Sequence, residues 1–312
     1  MAGKYVALLL AICCMLGLAS CMGGKNGKPT STGQPYEVVL EGDTDSIVTQ
    51  VLTEAVSCLP QPEPMFNIIQ VRKGKTASLY QMVRNRVVVD VDGRYDGFHV
   101  KVSQDVNASP QIIVKITASS PSQLQRQLNG EKLRTLLGRH EQLHLASCIK
   151  QNVEKQKEVK KLFGIDMKIP LDMDASKRGK DFMWISNNAN SGMQSLLILK
   201  VKSEERGVKS EERRVKNPLA ASSFVDIQSQ VDSILRKNMV GETDEMYMVI
   251  PQLGQRGLWE MKGDAMGGPY VMHYVHREKK SYDIVVIGFV YAPEMKKRNL
   301  TKQLEAVLST IK

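Results

Sequence analysis

Residues Gly257–Pro293 read GLWEMKGDAMGGPYVMHYVHREKKSYDIVVIGFVYAP, and the rest of the chain is organised around them. Within them, Ile284–Tyr291 is almost entirely apolar and β-branched or aromatic, which is typical of a strand covered on both faces. Trp259–Lys262 and Tyr270–Val275 predict two more strands. The loop expected between them, Gly263–Pro269, has glycines that permit positive φ and a proline that ends strand pairing.

A helix is expected after this strand, because Pro293 suits the first position of a helix. Apolar residues then recur at helical spacing and form one stripe: Leu300, Leu304, Val307, Leu308 and Ile311. Strand, hairpin and helix should therefore form one packed unit.

Upstream, strands and helices are mixed without regular alternation. Strands are predicted at Tyr36–Leu40, Met65–Val71, Arg86–Val91, Phe98–Val102, Gln111–Thr117, Phe182–Ser186, Leu196–Val201 and Met246–Ile250. Helices are predicted at Thr44–Cys58, from Ser120 to Phe163 with a break near Gly138, and at Phe224–Leu235. This pattern predicts an α+β fold in which mixed, largely antiparallel sheets pack against amphipathic helices.

Two lobes are expected, at residues 36–163 and 164–312. The second lobe contains a low-complexity insertion at 201–216, where VKSEERG is followed directly by VKSEERR. A charged duplication of this kind, without an apolar pair, is typical of a solvated loop.

Charge and composition argue against a nucleic-acid partner. The net charge is +10 over 312 residues, but the basic residues are spread along the chain and aromatic residues make up only 5%. No recognised nucleic-acid motif accompanies the charge, so it is expected to lie on a solvated surface.

The amino terminus resembles a bacterial lipoprotein signal. Lys4 precedes the apolar run Tyr5–Ala19, which is too short for a comfortable membrane-spanning helix, and the run ends in Leu-Ala-Ser-Cys at residues 18–21. The lipobox rule implies that residues 1–20 are removed and that Cys21 becomes acylated. Residues 21–35, rich in Gly, Ser, Thr and Pro, are then expected to form a flexible tether.

Two cysteines remain after this processing, because Cys13 and Cys14 leave with the signal and Cys21 carries lipid. Cys58 and Cys148 would lie in an oxidising compartment and could form a disulfide. Each could equally be a small buried apolar residue.

His140-Glu141-Gln142-Leu143-His144 matches the HExxH pattern of zinc peptidases. On a helix, histidines four residues apart can bind one zinc ion while the glutamate activates its water. The third histidine of the longer metzincin pattern is missing, although Glu154 or Glu158 could supply a ligand. The alternative is that both histidines continue the apolar stripe of Leu133 and Leu137. We assign no cofactor, and a zinc-dependent hydrolase is the second hypothesis.

The chain is similar to a Bacteroidetes lipoprotein family of unknown function, that of domain of unknown function 4837. The similarity lies in LPQPEP at Leu59–Pro64, GKDFMWISNNANSGMQ at Gly179–Gln194, GLWEMKGDAMGGP at Gly257–Pro269 and GFVYAPEMKKRNLTKQLE at Gly288–Glu305. The resemblance implies no catalytic residue, and no Walker, Rossmann, CxxC or GxSxG motif occurs in the chain.

The leading hypothesis is a lipid-anchored envelope protein that binds an unidentified envelope protein or ligand. Met22–Lys28 contains no acid. Surface-displayed lipoproteins of Bacteroidetes typically carry acidic residues there, so attachment to the outer membrane facing the periplasm is expected. A third hypothesis, a carrier of small ligands, would need an apolar pocket near Trp184 or Trp259.

Overall fold

The computed structural model describes residues 27–203, 221–243, 245–278 and 280–312. The expected signal peptide, Cys21 and most of the insertion at 201–216 lie outside these residues. Within them the chain has the predicted α+β fold, with two sheets and helices packed against them. No helix in the described ranges combines the length and apolar character needed to cross a membrane.

The described chain divides into two compact units. The first contains residues up to Glu54 and Pro64–Glu141, and the second contains Ala55–Glu63 and Gln142–Lys312. The division thus falls after Glu141, whereas the sequence pattern placed it at 163/164.

The sheet of the first unit is mostly parallel. Its strands are β1 (Glu37–Glu41), β2 (Asn67–Val71), β3 (Asn85–Val91), β4 (His99–Gln104) and β5 (Ile112–Ala118). Their order is β2-β1-β3-β5-β4, and only β4 is antiparallel to its neighbour. The helices assigned to this part of the chain are α1 (Ile47–Leu52), α2 (Ser78–Gln81), α3 (Pro121–Gln127) and α4 (Gly130–Cys148), of which α4 continues into the second unit.

The second unit has a seven-stranded antiparallel sheet. Its strands are β6 (Ala175–Arg178), β7 (Phe182–Ser186), β8 (Met193–Lys202), β9 (Tyr247–Val249), β10 (Arg256–Lys262), β11 (Gly267–Val275) and β12 (Tyr282–Tyr291). Their order is β6-β7-β8-β12-β11-β10-β9. The helices are α5 (Val153–Phe163), α6 (Ala221–Asn238) and α7 (Arg298–Leu308).

Strand β12 is buried on both faces, as its composition predicted. Ile284, Val286 and Val290 belong to a core that also contains residues of α5 and α7. Val285, Ile287 and Phe289 belong to a second core with residues of α6. Side chains alternate between the faces of a strand, so a strand with helices on both sides must be apolar throughout.

The loop predicted at Gly263–Pro269 is shorter than expected. Gly267, Gly268 and Pro269 belong to β11 and pair with Glu260, Trp259 and Leu258. A Cβ at position 268 would overlap the carbonyl oxygen of Val290. Glycine is therefore needed for close backbone approach rather than for a turn.

Three helix predictions need correction. The helix at Thr44–Cys58 is only α1, because the backbone after Leu52 turns to pair with the segment that follows the prolines: Val56 N donates to Glu63 O, and Met65 N to Glu54 O. The region from Ser120 to Phe163 is three helices, and Gly138 lies inside α4 rather than at a break. Ser120 caps α3 as expected, accepting a hydrogen bond from Gln123 N.

The third correction concerns α7, which begins at Arg298 rather than at Pro293. Its first residues are capped from a distance by Glu63, at the end of the proline-rich turn. The Glu63 carboxylate accepts hydrogen bonds from Lys297 N at 2.6 Å and Arg298 N at 3.2 Å. A carboxylate is favourable there because a helix amino terminus has unpaired N–H groups and a partial positive charge.

Residues 29–34 do not form part of a free tether. Thr30 forms a bridge with Ser109, Thr32 forms one with Val83, and Ser31 between them is buried. The backbone of this segment is thus paired within the first unit, so the prediction of a flexible tether is wrong for residues 29–34.

Candidate functional site

The HExxH residues lie on α4, as predicted, but Glu141 points into the core of the first unit. Its carboxylate is fully buried and accepts hydrogen bonds from Arg84 Nε at 2.9 Å, Arg84 Nη2 at 3.0 Å and Asn85 Nδ2 at 2.8 Å. Both of its oxygens are thus occupied by protein donors. A glutamate that activates a zinc-bound water needs a free oxygen at the metal, and Glu141 has none.

The histidines also have other partners. His140 Nδ1 lies 3.1 Å from Asn85 Oδ1. The pKa of His140 is lowered from its usual value, mainly because the side chain is partly buried. His144 lies beside Cys148, with both ring nitrogens 3.7 Å from Sγ. In the described residues, no group of three His, Cys, Asp or Glu side chains could hold a metal ion. The zinc hypothesis for His140, Glu141 and His144 is therefore not supported by this geometry.

One of the two further ligands considered from sequence, Glu158, is also engaged elsewhere. Glu158 forms ion pairs with Lys155 at 3.3 Å and with Arg178 at 2.8 Å. Cys58 and Cys148 are free and exposed, so this structure contains neither of the two alternatives, a disulfide or two buried cysteines.

The second unit contains an apolar cleft of about 640 Å³. One wall is the end of α4 with the residues that follow it, from Leu145 to Lys150, and the other is Pro170–Met173. The two walls are joined by backbone hydrogen bonds from Leu171 N to Lys150 O and from Asn152 N to Ile169 O. The cleft is therefore built into the fold of the unit.

The floor of the cleft is one face of α7, formed by Leu304, Ala306 and Val307. These side chains are buried, and Leu304 packs directly over Gly288 of β12. A Cβ added at position 288 would lie only 3.1 Å from the Cβ of Leu304. Glycine at 288 lets the helix approach the sheet closely. Two glutamines hold α7 in place: Gln194 Nε2 donates to Leu300 O, and Gln142 Nε2 donates to Glu305 O.

The exposed polar side chains of the cleft lie at its mouth, and Gln194 is a half-buried polar residue of the lining. Lys150, Asp172 and Gln303 are exposed, and the same rim carries Leu171, which is 58% exposed. An apolar floor with a few polar groups at the rim is typical of a small-molecule site, and the volume falls within the usual range for such sites. This arrangement can bind an apolar body and leave a polar end in water.

A second cleft, of about 370 Å³, lies between α1 and α3 of the first unit. Much of its lining is polar, with Asp45, Gln50, Ser122 and Gln125 among the contributors. It is smaller and lacks the apolar floor of the cleft in the second unit. We therefore consider the larger cleft to be the candidate site.

Sequence patterns found only part of this site. The apolar stripe predicted Leu304 and Val307, but no sequence pattern indicated that Pro170–Met173, shortly after the expected boundary between the lobes, would form one wall of the cleft. The pocket that a carrier of small ligands would need was expected near Trp184 or Trp259. Trp259 is instead buried in the core on the other face of the sheet, where its ring contacts Phe289.

Comparison with known families divides the chain in two. Residues 31–150 match a family model described as Domain of unknown function (DUF8532), and residues 152–310 match Domain of unknown function (DUF4837). The proline-rich LPQPEP stretch lies within the first match, so the resemblance to the second family covers less of the chain than the sequence motifs implied. No curated protein and no solved structure matches the chain.

The second match covers half of the chain and includes most of the residues that line the cleft. The chain belongs to the family of Domain of unknown function (DUF4837), through the unit built around β12 and α7.

Proposed function

We propose that this protein is a lipid-anchored binding module that holds a lipid-like amphiphile in the cleft of the second unit. The observation that supports it is the cleft itself, with an apolar floor on α7 and exposed polar side chains at its mouth. The floor would take the apolar body of the ligand. The polar end would remain in water near Lys150, Asp172 and Gln303.

Burial of apolar surface supplies the binding free energy. Leu171 is more than half exposed and Leu145 and Ile149 are partly exposed in the empty cleft, so a ligand would remove their surface from water. Each square ångström of apolar surface buried contributes roughly 25 cal/mol. Because the walls are fixed by backbone hydrogen bonds, little of this free energy is lost in ordering the site.

A fluorescent fatty acid tests the cleft. Dansyl-undecanoic acid should bind to the chain beginning at residue 22 with enhanced emission. Cys148→Trp, at an exposed wall position, should fill the mouth and weaken binding about tenfold or more, which corresponds to about 1.4 kcal/mol. Cys58→Trp is the matched control, because Cys58 is also exposed but does not line the cleft. Equal affinity in both variants, or no binding by the parent, would refute the proposal.

The membrane anchor in this proposal is Cys21. It is supported by the order of Lys4, the apolar run and the small residues before the cysteine. Attachment to the outer membrane, facing the periplasm, would place the cleft beside a source of amphiphiles. More than one acyl chain is needed for durable attachment, and the lipobox pattern implies acylation at both the thiol and the new amino terminus.

Cys21→Ser should release the protein from membranes. In cell fractionation, we expect the parent in the membrane fraction and the variant largely in the soluble fraction, because a serine cannot take the thioether lipid. Mass spectrometry of the parent should show an acylated amino-terminal cysteine. A Cys21→Ser variant that stays in membranes as firmly as the parent would contradict the anchor.

A further inference from the structure

Strand β4 is an uncovered edge of the sheet in the first unit. Among the described residues it pairs with β5 alone, and nearly all of its side chains are exposed. Val100 and Val102 are 49% and 44% exposed, although their partners in β5, Ile116 and Val114, are fully buried. A free edge with exposed apolar side chains can template pairing with another chain.

The hydrogen-bond pattern shows which backbone groups of β4 face outward. Asp105 N donates to Gln111 O across the end of the ladder, whereas Ile112 N donates to Arg84 O on the other side of β5. In an antiparallel ladder, hydrogen-bonded and non-hydrogen-bonded pairs alternate. The N–H and C=O groups of Val100, Val102 and Gln104 therefore point to the free edge, and the described part of the chain provides them with no partner.

The two faces of this edge differ in chemistry. Lys101 lies directly opposite Lys115, and both side chains are exposed. Like charges at directly opposed positions are destabilising in a sheet. Asp90 lies near Lys115: the hydrogen bond from Lys73 is the main cause that lowers the pKa of Asp90, and the charge of Lys115 adds to it. No carboxylate among the described residues is within ion-pair distance of Lys101 or Lys115. The opposite face of the edge carries the exposed valines. The edge is thus basic on one face and apolar on the other.

We propose that β4 is a docking edge for an extended, acidic segment of a partner protein, in which acidic and apolar residues alternate. Its backbone would pair with Val100, Val102 and Gln104. Its acidic side chains would lie beside Lys101 and Lys115, and its apolar side chains would cover the two valines. This is recognition by strand addition, in which main-chain bonds give affinity and alternate side chains give specificity.

Charge complementarity favours this occupant over a second copy of the chain. An antiparallel copy of β4 would bring its own Lys101 towards a face that already holds Lys101 and Lys115. Lysines on an edge strand can prevent it from pairing with another strand. Such protection does not explain why Val100 and Val102 on the same strand are half-exposed. An acidic strand neutralises the lysines and buries the valines at once.

A synthetic peptide tests the proposal. We expect a dansylated peptide of alternating Glu and Val to bind to the chain beginning at residue 22 at low salt, and a Lys/Val peptide of equal length to bind at least about tenfold more weakly. Amide hydrogen exchange should slow at Val100 and Val102 when the Glu/Val peptide binds. Absence of binding at about 1 mM peptide, or equal binding of both peptides, would overturn the proposal.

Two variants make the test specific. Val102→Pro removes an outward N–H without breaking the pairing with β5, so the fold should persist while peptide binding is lost. Lys101→Glu should weaken binding about tenfold, whereas Lys132→Glu, an exposed lysine of α4, should leave it unchanged. Unchanged binding by Val102→Pro would overturn strand addition. Self-association of the parent that Val102→Pro abolishes would instead assign the edge to a second copy.

Discussion

Arg84→Ala is expected to cost about 3–5 kcal/mol of the free energy of unfolding, measured by urea denaturation. The substitution leaves the Glu141 carboxylate buried without its cation, since Arg84 provides two of the hydrogen bonds to it. Arg84 Nη2 also donates to Gly33 O at 3.3 Å and to Gln34 O at 3.4 Å, so the segment before β1 should loosen as well. Slower unfolding of the variant, or a loss below about 1 kcal/mol, would contradict this role.

The control is the double variant Arg84→Met with Glu141→Leu. Removing both charges eliminates the unpaired carboxylate, and a buried ion pair replaced by apolar residues of similar size is often neutral or stabilising. The double variant should therefore be more stable than Arg84→Ala. Restoration of stability would show that the cost of the single substitution arises from the isolated charge.

The pH dependence of the same pair has a defined sign. Burial by itself raises the pKa of Glu141, but the hydrogen bonds and charge of Arg84 outweigh it and hold this pKa below the usual 4.5. A depressed carboxyl pKa contributes stability above the unfolded-state value, and this contribution is lost as pH falls through the folded-state pKa. The parent should thus lose stability below about pH 4.5 more steeply than Glu141→Gln.

Gly268→Ala should be the most damaging small substitution in the second unit, with an expected loss of about 3 kcal/mol or more. The added Cβ would overlap the carbonyl oxygen of Val290 and lie 3.2 Å from Trp259 Nε1. The same carbonyl accepts the indole hydrogen bond of Trp259 at 3.1 Å, so any shift of the strand breaks that bond as well. Urea denaturation followed by the near-ultraviolet circular dichroism of tryptophan should report both effects.

Gly254→Ala is the matched control in the same unit. A Cβ at position 254 would be 3.4 Å from Arg256 O, an ordinary contact, and its N–H can still donate to Tyr270 Oη. This variant should lie within about 0.5 kcal/mol of the parent. Equal stability of the two alanine variants would mean that β11 does not approach β12 as closely as the structure shows.

The parts of the fold that follow from local pattern were predictable. The uniform apolar character of Ile284–Tyr291 and the helical stripe ending at Ile311 identified β12 and α7, because both elements are defined by which faces they bury. The α+β class followed from the irregular order of the elements.

Other features depend on contacts between residues distant in sequence. No local signal shows that β1, β2, β3 and β5 run parallel, or that Glu63 caps a helix that begins more than two hundred residues later. The HExxH residues lie on a helix as predicted, but the sequence does not show that Arg84 reaches Glu141 and occupies its carboxylate. The cleft was missed because one wall comes from irregular backbone at Pro170–Met173, which has no periodicity to detect.

The proposed role of the cleft is tested most directly by the reactivity of the two free cysteines in the chain beginning at residue 22. Cys148 lines the cleft and Cys58 does not, so each molecule contains its own control. Alkylation of the two residues by iodoacetamide would be followed by peptide mass spectrometry with and without palmitic acid. We predict that palmitic acid slows alkylation of Cys148 about tenfold and leaves Cys58 unchanged. Equal alkylation of Cys148 at saturating fatty acid would contradict the assignment of this cleft as the ligand site.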